Sequence, residues 1–170
     1  MCINMLFNLD NTSYIFELLE DCRGHMQSPE HHPEGDVFIH SLQVCHFAMK
    51  ESNDIDLLLG ALLHDIGKKI ALHGHEVEAI KLLNDYASAK TLWLIEHHMR
   101  FWYYILGDMR KLGKCKSLAD HPWTCDLLQL ARWDKMGRIK DWIPMYSREI
   151  IIERLNNKIE GRYIKNENTD

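Results

Sequence analysis

The residues of this chain best suited to chemistry are its histidines and aspartates. Eleven of the 170 residues are histidine. They come in a definite order with nearby acids: His40, the pair His64-Asp65, His75, the pair His97-His98 and then Asp134. Imidazole and carboxylate together suit zinc, iron, manganese, nickel or cobalt. A divalent cation so held makes a nucleophile of water and polarises a phosphoryl or carbonyl oxygen. A single histidine is more often a packed or solvated group; the ordered set is what points to a metal.

Helical spacing supports the same reading. Asp36 and His40 are four apart and share a helix face. Leu57, Ala61, His64 and Asp65 prolong one apolar stripe, Leu94 and His98 another, and Leu127, Leu130, Ala131 and Asp134 a third. Several helices thus carry a His or Asp at the end of a core-facing stripe. An unpaired carboxylate buried there would cost several kcal/mol, by rough estimate, and a shared cation removes that cost.

The elements that must position these groups are helical. No sustained apolar/polar alternation and no Asn-Gly or Asp-Gly hairpin signal appears. Helices are predicted over about 13–26, 36–51, 52–66 with Gly67 ending the last, 76–86, 88–100, 123–137 and 147–161. "QSPEHHPEGD" (27–36) is a loop, "KIALHGHE" another, and 107–122 a polar connector with short helical turns. The expected architecture is one all-α domain of six to eight helices over residues 1–165, with a disordered tail at 166–170.

Composition narrows the class. An apolar fraction of 46% is that of a chain with a real core. The formal net charge of −5 gives no basic field for an extended nucleic-acid surface. The five cysteines show no C-x-x-C spacing and read as reduced thiols. No membrane-spanning run and no secretory signal pattern is present, so the expectation is a cytoplasmic protein.

"HDIGK" (64–68), taken with "QSPEHHPEGDVFIHSLQV" (27–44), "GHEVEA" (74–79), "EHHMRF" (96–101) and "LLQLARWDKMGR" (127–138), resembles the HD superfamily of metal-dependent phosphohydrolases. Within it, the first segment is similar to the entry of the HD domain of bacterial tRNA nucleotidyltransferases, where Q-x-P-x-x-H-P-E-G-D-V-x-x-H-T-L is typical. The nucleotidyltransferase head of those enzymes, with its glycine-serine signature and D-x-D metal pair, is missing. The resemblance therefore implies a stand-alone HD hydrolase, a branch associated with phosphatase, 2'-nucleotidase and 2',3'-cyclic phosphodiesterase activities, and not CCA addition.

By motif match, His40, His64, Asp65 and Asp134 would hold a first divalent ion (manganese, nickel, cobalt, iron, zinc or magnesium). His75 and His98 would help hold a second, with Asp65 as the catalytic bridge. His98 rather than His97 is the ligand, because it opens the family-like "HMR" and shares the Leu94 face; His97 is left to an outer shell or the surface. Asp36 is a bridging or outer-shell acid, or only a helix cap.

Lys68, three residues after Asp65, is placed to meet a phosphate as a point charge. Arg100 and His32 are further substrate contacts; Arg138 and Arg132 are weaker ones, and His73 is a loop residue. One aromatic of Phe101, Trp102, Tyr103 and Tyr104 is expected to stack on a base. The implied partner is a small nucleotide, a 2',3'-cyclic nucleotide or an RNA end. Two alternatives share the ligand set: a di-iron oxygenase acting on a small phosphonate or polyol, and a non-catalytic nucleotide- or RNA-binding module.

Overall fold

In the computed structural model, which describes residues 9–105, 107, 112–145, 149 and 151–153, seven α-helices follow one another. They are α1 (Leu9–Glu20), α2 (Val37–Glu51), α3 (Ile55–Leu63), α4 (His75–Leu83), α5 (Ala89–Ile105), α6 (Leu112–Ala119) and α7 (Thr124–Met136), with a 3-10 turn, Ile66–Lys69, between α3 and α4. Among the described residues there is no sheet, only an isolated bridge between Met26 and Asp36. No helix is long and apolar enough to cross a membrane among the described residues. The predicted helix 147–161, apart from residues 149 and 151–153, and the tail at 166–170 lie outside the described residues.

α3 has no polar face because it has no exposed one. All nine of its residues are buried, and it packs on α2, α5 and α7 together. A helix apolar on nearly every side, with Asp56 its one charged residue, is the sequence form of such a central element. α2, α5 and α7 are amphipathic around it, burying Val44 and Ala48, Leu94 and Ile95, and Leu127, Leu130 and Trp133.

Two polar links fix how α5 lies on this centre. Asp56, buried in α3, accepts hydrogen bonds from Ser88 and from Thr91 Oγ1 (3.1 Å), and Ser88 Oγ in turn accepts from Thr91 N (3.1 Å). Lys90 bridges Asp54 and Asp126, each at 2.7 Å, joining α5 to the start of α3 and to α7. Buried groups that satisfy one another in this way resist sliding of the helix.

Three boundaries differ from the sequence reading. α1 stops at Glu20; the chain tightens through Cys22 N to Leu19 O and Arg23 N to Glu20 O, then turns at Gly24, whose φ of +82° favours glycine. The connector 107–122 contains a true helix, α6. Gly67 does not end α3, which stops at Leu63. It sits inside the 3-10 turn, where a Cβ would collide with the backbone carbonyl of His75 and come within 2.8 Å of Ala79 N. Its missing side chain is what lets α4 lie directly on the turn. No disulfide forms among the four described cysteines.

Candidate metal centre

The six proposed ligands are delivered by five segments of the chain. His40 lies in the first turn of α2, which Asp36 caps by accepting from Phe38 N (2.7 Å) and Ile39 N (3.2 Å). Asp36 also accepts from Gly24 N, so its carboxylate is committed to backbone and is not an outer-shell member of the cluster. His64 and Asp65 fall where α3 gives way to the 3-10 turn, Asp65 at φ −104°, ψ 1°. That change of path turns two consecutive side chains to one place. His75 opens α4 after Gly74, at φ +77°; His98 comes from α5 and Asp134 from α7.

All six are buried, none more than 6% exposed. The four histidines share one hydrogen-bonding arrangement. His64 donates its Nδ1–H to the Ala61 carbonyl (3.1 Å), His75 to Leu72 (3.1 Å), His98 to Ile95 (2.6 Å) and His40 to Gly137 (2.8 Å). A carbonyl can only accept, so in the neutral ring each Nε2 is left as a lone pair facing inward, the tautomer that binds a metal. Gly137 can approach α2 this closely because it has no Cβ; one would lie 3.0 Å from Val44 N.

Asp65 is the centre of the arrangement. Its Oδ2 lies 3.5 Å from His64 Nε2 and 3.7 Å from His40 Nε2; its Oδ1 lies 3.2 Å from His75 Nε2 and 3.7 Å from His98 Nε2. Asp134 Oδ1 adds a carboxylate 3.1 Å from His40 Nε2. Donor atoms about 3–4 Å apart match the ligands of a cation with bonds of about 2.0–2.2 Å. The sets His40-His64-Asp65 and Asp65-His75-His98 each meet this test, with all atoms within 4.8 Å of one another. An orphaned atom agrees: His64 Nε2 is buried without a hydrogen-bond partner, a condition rare in folded proteins and relieved by a bound cation. The residues present fit a divalent metal.

The electrostatics are those of a site that keeps its carboxylates ionised. Burial alone would raise the Asp65 pKa, but His64, Lys68, His75 and His98 hold it well below the usual range. Burial likewise opposes ionisation of Asp134, and His40, with His64 and Arg138 beside it, holds that carboxyl far below its ordinary value. Burial pushes His64 down to about 3, so its ring is neutral. His40 is the exception: burial works against its charged form, yet Asp134 and Glu34 lift it to about 9. Without a cation His40 carries the proton that a cation would replace.

The surrounding residues divide sharply. Lys68, 9% exposed, donates to Asp65 Oδ2 (2.6 Å) and to Gln27 Oε1 (2.7 Å), so two of its three N–H bonds are already made. Arg138 donates to both oxygens of Asp134 (3.1 and 3.3 Å) and to the His31 carbonyl. His32 donates to Glu34. His97 and Arg100 are not brought to the cluster; His98 turns inward, and its neighbours lie on an adjoining face of α5. His73 is exposed in its loop. Arg132 pairs with Glu51, away from Asp134.

Two residues that sequence reasoning missed are part of the site. Glu34 Oε1 lies 2.8 Å from both His32 Nδ1 and His40 Nδ1, so His40 shares its Nδ1–H between this carboxylate and Gly137. Burial would raise the Glu34 pKa, but the two imidazoles lower it to about 2. A carboxylate behind a ligating histidine fixes its ring and tautomer. Its signals in the sequence are the His32-x-Glu34 spacing and its place in the "HPEGD" run, in a loop that has no period. Trp102 is the other: its Nε1–H donates to Asp134 Oδ2 (3.2 Å), while Phe101 is core at 4% exposure.

A helical bundle that gathers four histidines and two aspartates from five segments into one buried cluster defines a metal-dependent phosphohydrolase domain. The chain belongs to the HD domain family, whose model matches residues 37–135. It is 33% identical to the Multifunctional CCA protein of Janthinobacterium sp. (strain Marseille) over 42% of its own length, and 33% identical to the Multifunctional CCA protein of Thioalkalivibrio sulfidiphilus (strain HL-EbGR7) over 41%. A third, from Acinetobacter baumannii, is 34% identical over 38%. The chain spans 22%, 22% and 16% of the lengths of these curated relatives.

Proposed function

We propose that this domain hydrolyses a phosphate ester of a nucleotide, a 2',3'-cyclic nucleotide or an RNA end, acting in the cytoplasm. The observation that carries this reading is the division of Asp65: one oxygen faces His40 and His64, the other faces His75 and His98. His40, His64, Asp65 and Asp134 would hold one divalent ion, and Asp65, His75 and His98 a second. When bound, such ions bring the pKa of water into the neutral range and polarise a phosphoryl oxygen.

The chain's own residues supply the rest. Asp65 and Asp134 stay ionised. Lys68 neutralises Asp65 and keeps one N–H for a phosphate oxygen. Arg138 and Trp102 fix both oxygens of Asp134, and Glu34 fixes the His40 ring. In the reaction the oxygen of a water bonds to phosphorus as the water gives up a proton, the P–O bond to the ribose oxygen breaks, and that oxygen takes up a proton in return. The relatives are Multifunctional CCA proteins, which favours a nucleotide or RNA substrate here.

The test is metal analysis of the purified protein with phosphate release from a panel of nucleotides, 2',3'-cyclic nucleotides and short RNAs under manganese, nickel, cobalt or magnesium. Release that disappears in Asp65→Ala supports the proposal. Bound iron with oxygen consumption and no phosphate release would overturn it, and so would a metal-free, inactive protein that binds RNA.

A further inference from the structure

α5 carries a second set of residues one step round from its metal face. Leu94, His98 and Phe101 point to the interior, at 0%, 2% and 4% exposure. Trp93, His97 and Arg100, each one position earlier and so rotated by about 100°, face a cavity of about 400 Å³ whose far wall is α6 with Lys114 and Ser117. That volume is in the range of small-molecule sites, about 300–1,000 Å³.

The lining is ordered and of one sign. Trp93 lies parallel to His121 (centroids 4.0 Å apart, 11°) and to His97 (4.5 Å, 15°), making a three-ring stack. His97 donates Nδ1–H to the Trp93 carbonyl (2.9 Å) and accepts from Arg100 through Nε2 (3.2 Å), which fixes both side chains. Among the described residues the cationic side chains that line the cavity are Arg100 and Lys114, and no described carboxylate lines it. The Glu96 partner of Arg100, at 3.2 Å, is partly exposed and does not line the cavity. A local concentration of positive charge on a chain of net charge −5, walled by flat rings, suits an anion that carries an aromatic ring.

We infer that the cavity between α5 and α6 is a second ligand site, separate from the His/Asp cluster, which takes a nucleoside monophosphate unit: Arg100 and Lys114 meet the phosphate, and Tyr103 with the edge of the Trp93 stack meets the base. The unit is either a free nucleotide or the terminal nucleotide of an RNA. This binding requires neither a metal nor turnover, so it stands or falls apart from the reaction proposed above.

The test is equilibrium dialysis of the full chain in EDTA, with circular dichroism to verify the fold, against AMP, inorganic phosphate and a 5'-phosphorylated RNA hexamer. The same series on cobalt-loaded protein serves if the stripped protein unfolds. Saturable AMP binding is expected. Removing two charge-assisted contacts in Arg100→Gln/Lys114→Gln should weaken it by about tenfold or more. Gly113→Phe is expected to block it, since a Cβ at Gly113 meets nothing within 4 Å and a ring there would enter the open space. Cobalt affinity of the cluster should be unchanged in both variants. Tighter binding of the hexamer than of AMP identifies an RNA terminus as the source, and the reverse a free nucleotide. No AMP binding, binding equal in wild type and both variants, or phosphate binding as tightly as AMP overturns the inference.

Discussion

His75 Nε2 and His98 Nε2 stand 3.1 Å apart, and each ring has already given its Nδ1–H to a carbonyl, Leu72 for one and Ile95 for the other. In their neutral forms two rings so tied would face each other lone pair to lone pair beside Asp65 Oδ1. That contact is favourable only with a positive charge between them. His98→Ala is therefore expected to remove one of two bound metals, with affinity at that position falling more than about 100-fold, beyond what loss of an outer-shell partner costs. Metal analysis after dialysis against a chelator reads the change from two ions to one. Retention of both would show that the His75-His98 pair is not a ligand pair.

Glu34 acts through His40. Glu34→Gln keeps the shape and removes the charge, so metal affinity or turnover is expected to drop about 10- to 100-fold with the substrate KM little changed. Glu34→Asp should recover part of the loss if the carboxylate reaches the ring. An unchanged metal titration curve would mean that Gly137 alone orients His40.

Lys68 separates charge on the metal from charge on the substrate. In Lys68→Met, Asp65 loses its ammonium partner and is free to bind cation more strongly. Metal content is expected to hold or rise while kcat falls about 100-fold, the scale of removing one preorganised donor. Parallel loss of metal and activity would assign Lys68 a purely structural role.

The pH dependence follows from His40 and His75. Both have folded-state pKa values above the ordinary 6.5, His40 at about 9. A raised pKa contributes stability that is complete below about 6.5 and is lost as pH climbs through the folded value. The metal-free protein should lose stability between about pH 6.5 and 9. The loaded protein, in which a cation stands where the protons were, should lose less. Thermal melts of both forms across this window are expected to show a gap in Tm that widens with pH; a constant gap would contradict the proton–metal exchange at His40.

Gly67→Ala places a methyl group against the His75 carbonyl. The turn and α4 must separate, at a cost of about 1–3 kcal/mol or more, and His75 leaves Asp65 Oδ1 as they do. Urea denaturation should show the loss of stability, and metal analysis the loss of the ion held by His75 and His98. Wild-type stability in this variant would mean that α4 does not need to touch the turn.

How much of this was legible in the sequence depends on whether a residue belongs to a period. His64, Asp65, His98 and Asp134 end apolar stripes, and the face they share with Leu57, Leu94 or Leu127 could be counted. Glu34 lies in a loop held by a bridge between Met26 and Asp36, where no spacing rule reaches across to His40. Trp102 was hidden in a run of four aromatics whose directions only packing decides. Gly67 was noticed for its freedom to end a helix, whereas its contribution is the absence of an atom against a segment eight residues later. Arg100 was seen near His98 in the sequence, but two residues along a helix is most of the way to the opposite face.

The clamp of Asp56 on Ser88 and Thr91 sets the phase of α5, and with it which of two neighbouring histidines enters the cluster. Insertion or deletion of a single residue between Thr91 and His97 would turn everything beyond it by about 100°, bringing a different side chain to the interior in place of His98 and shifting the cationic wall of the cavity in the same stroke. Variation in chain length is thus barred from this stretch far more strictly than substitution is.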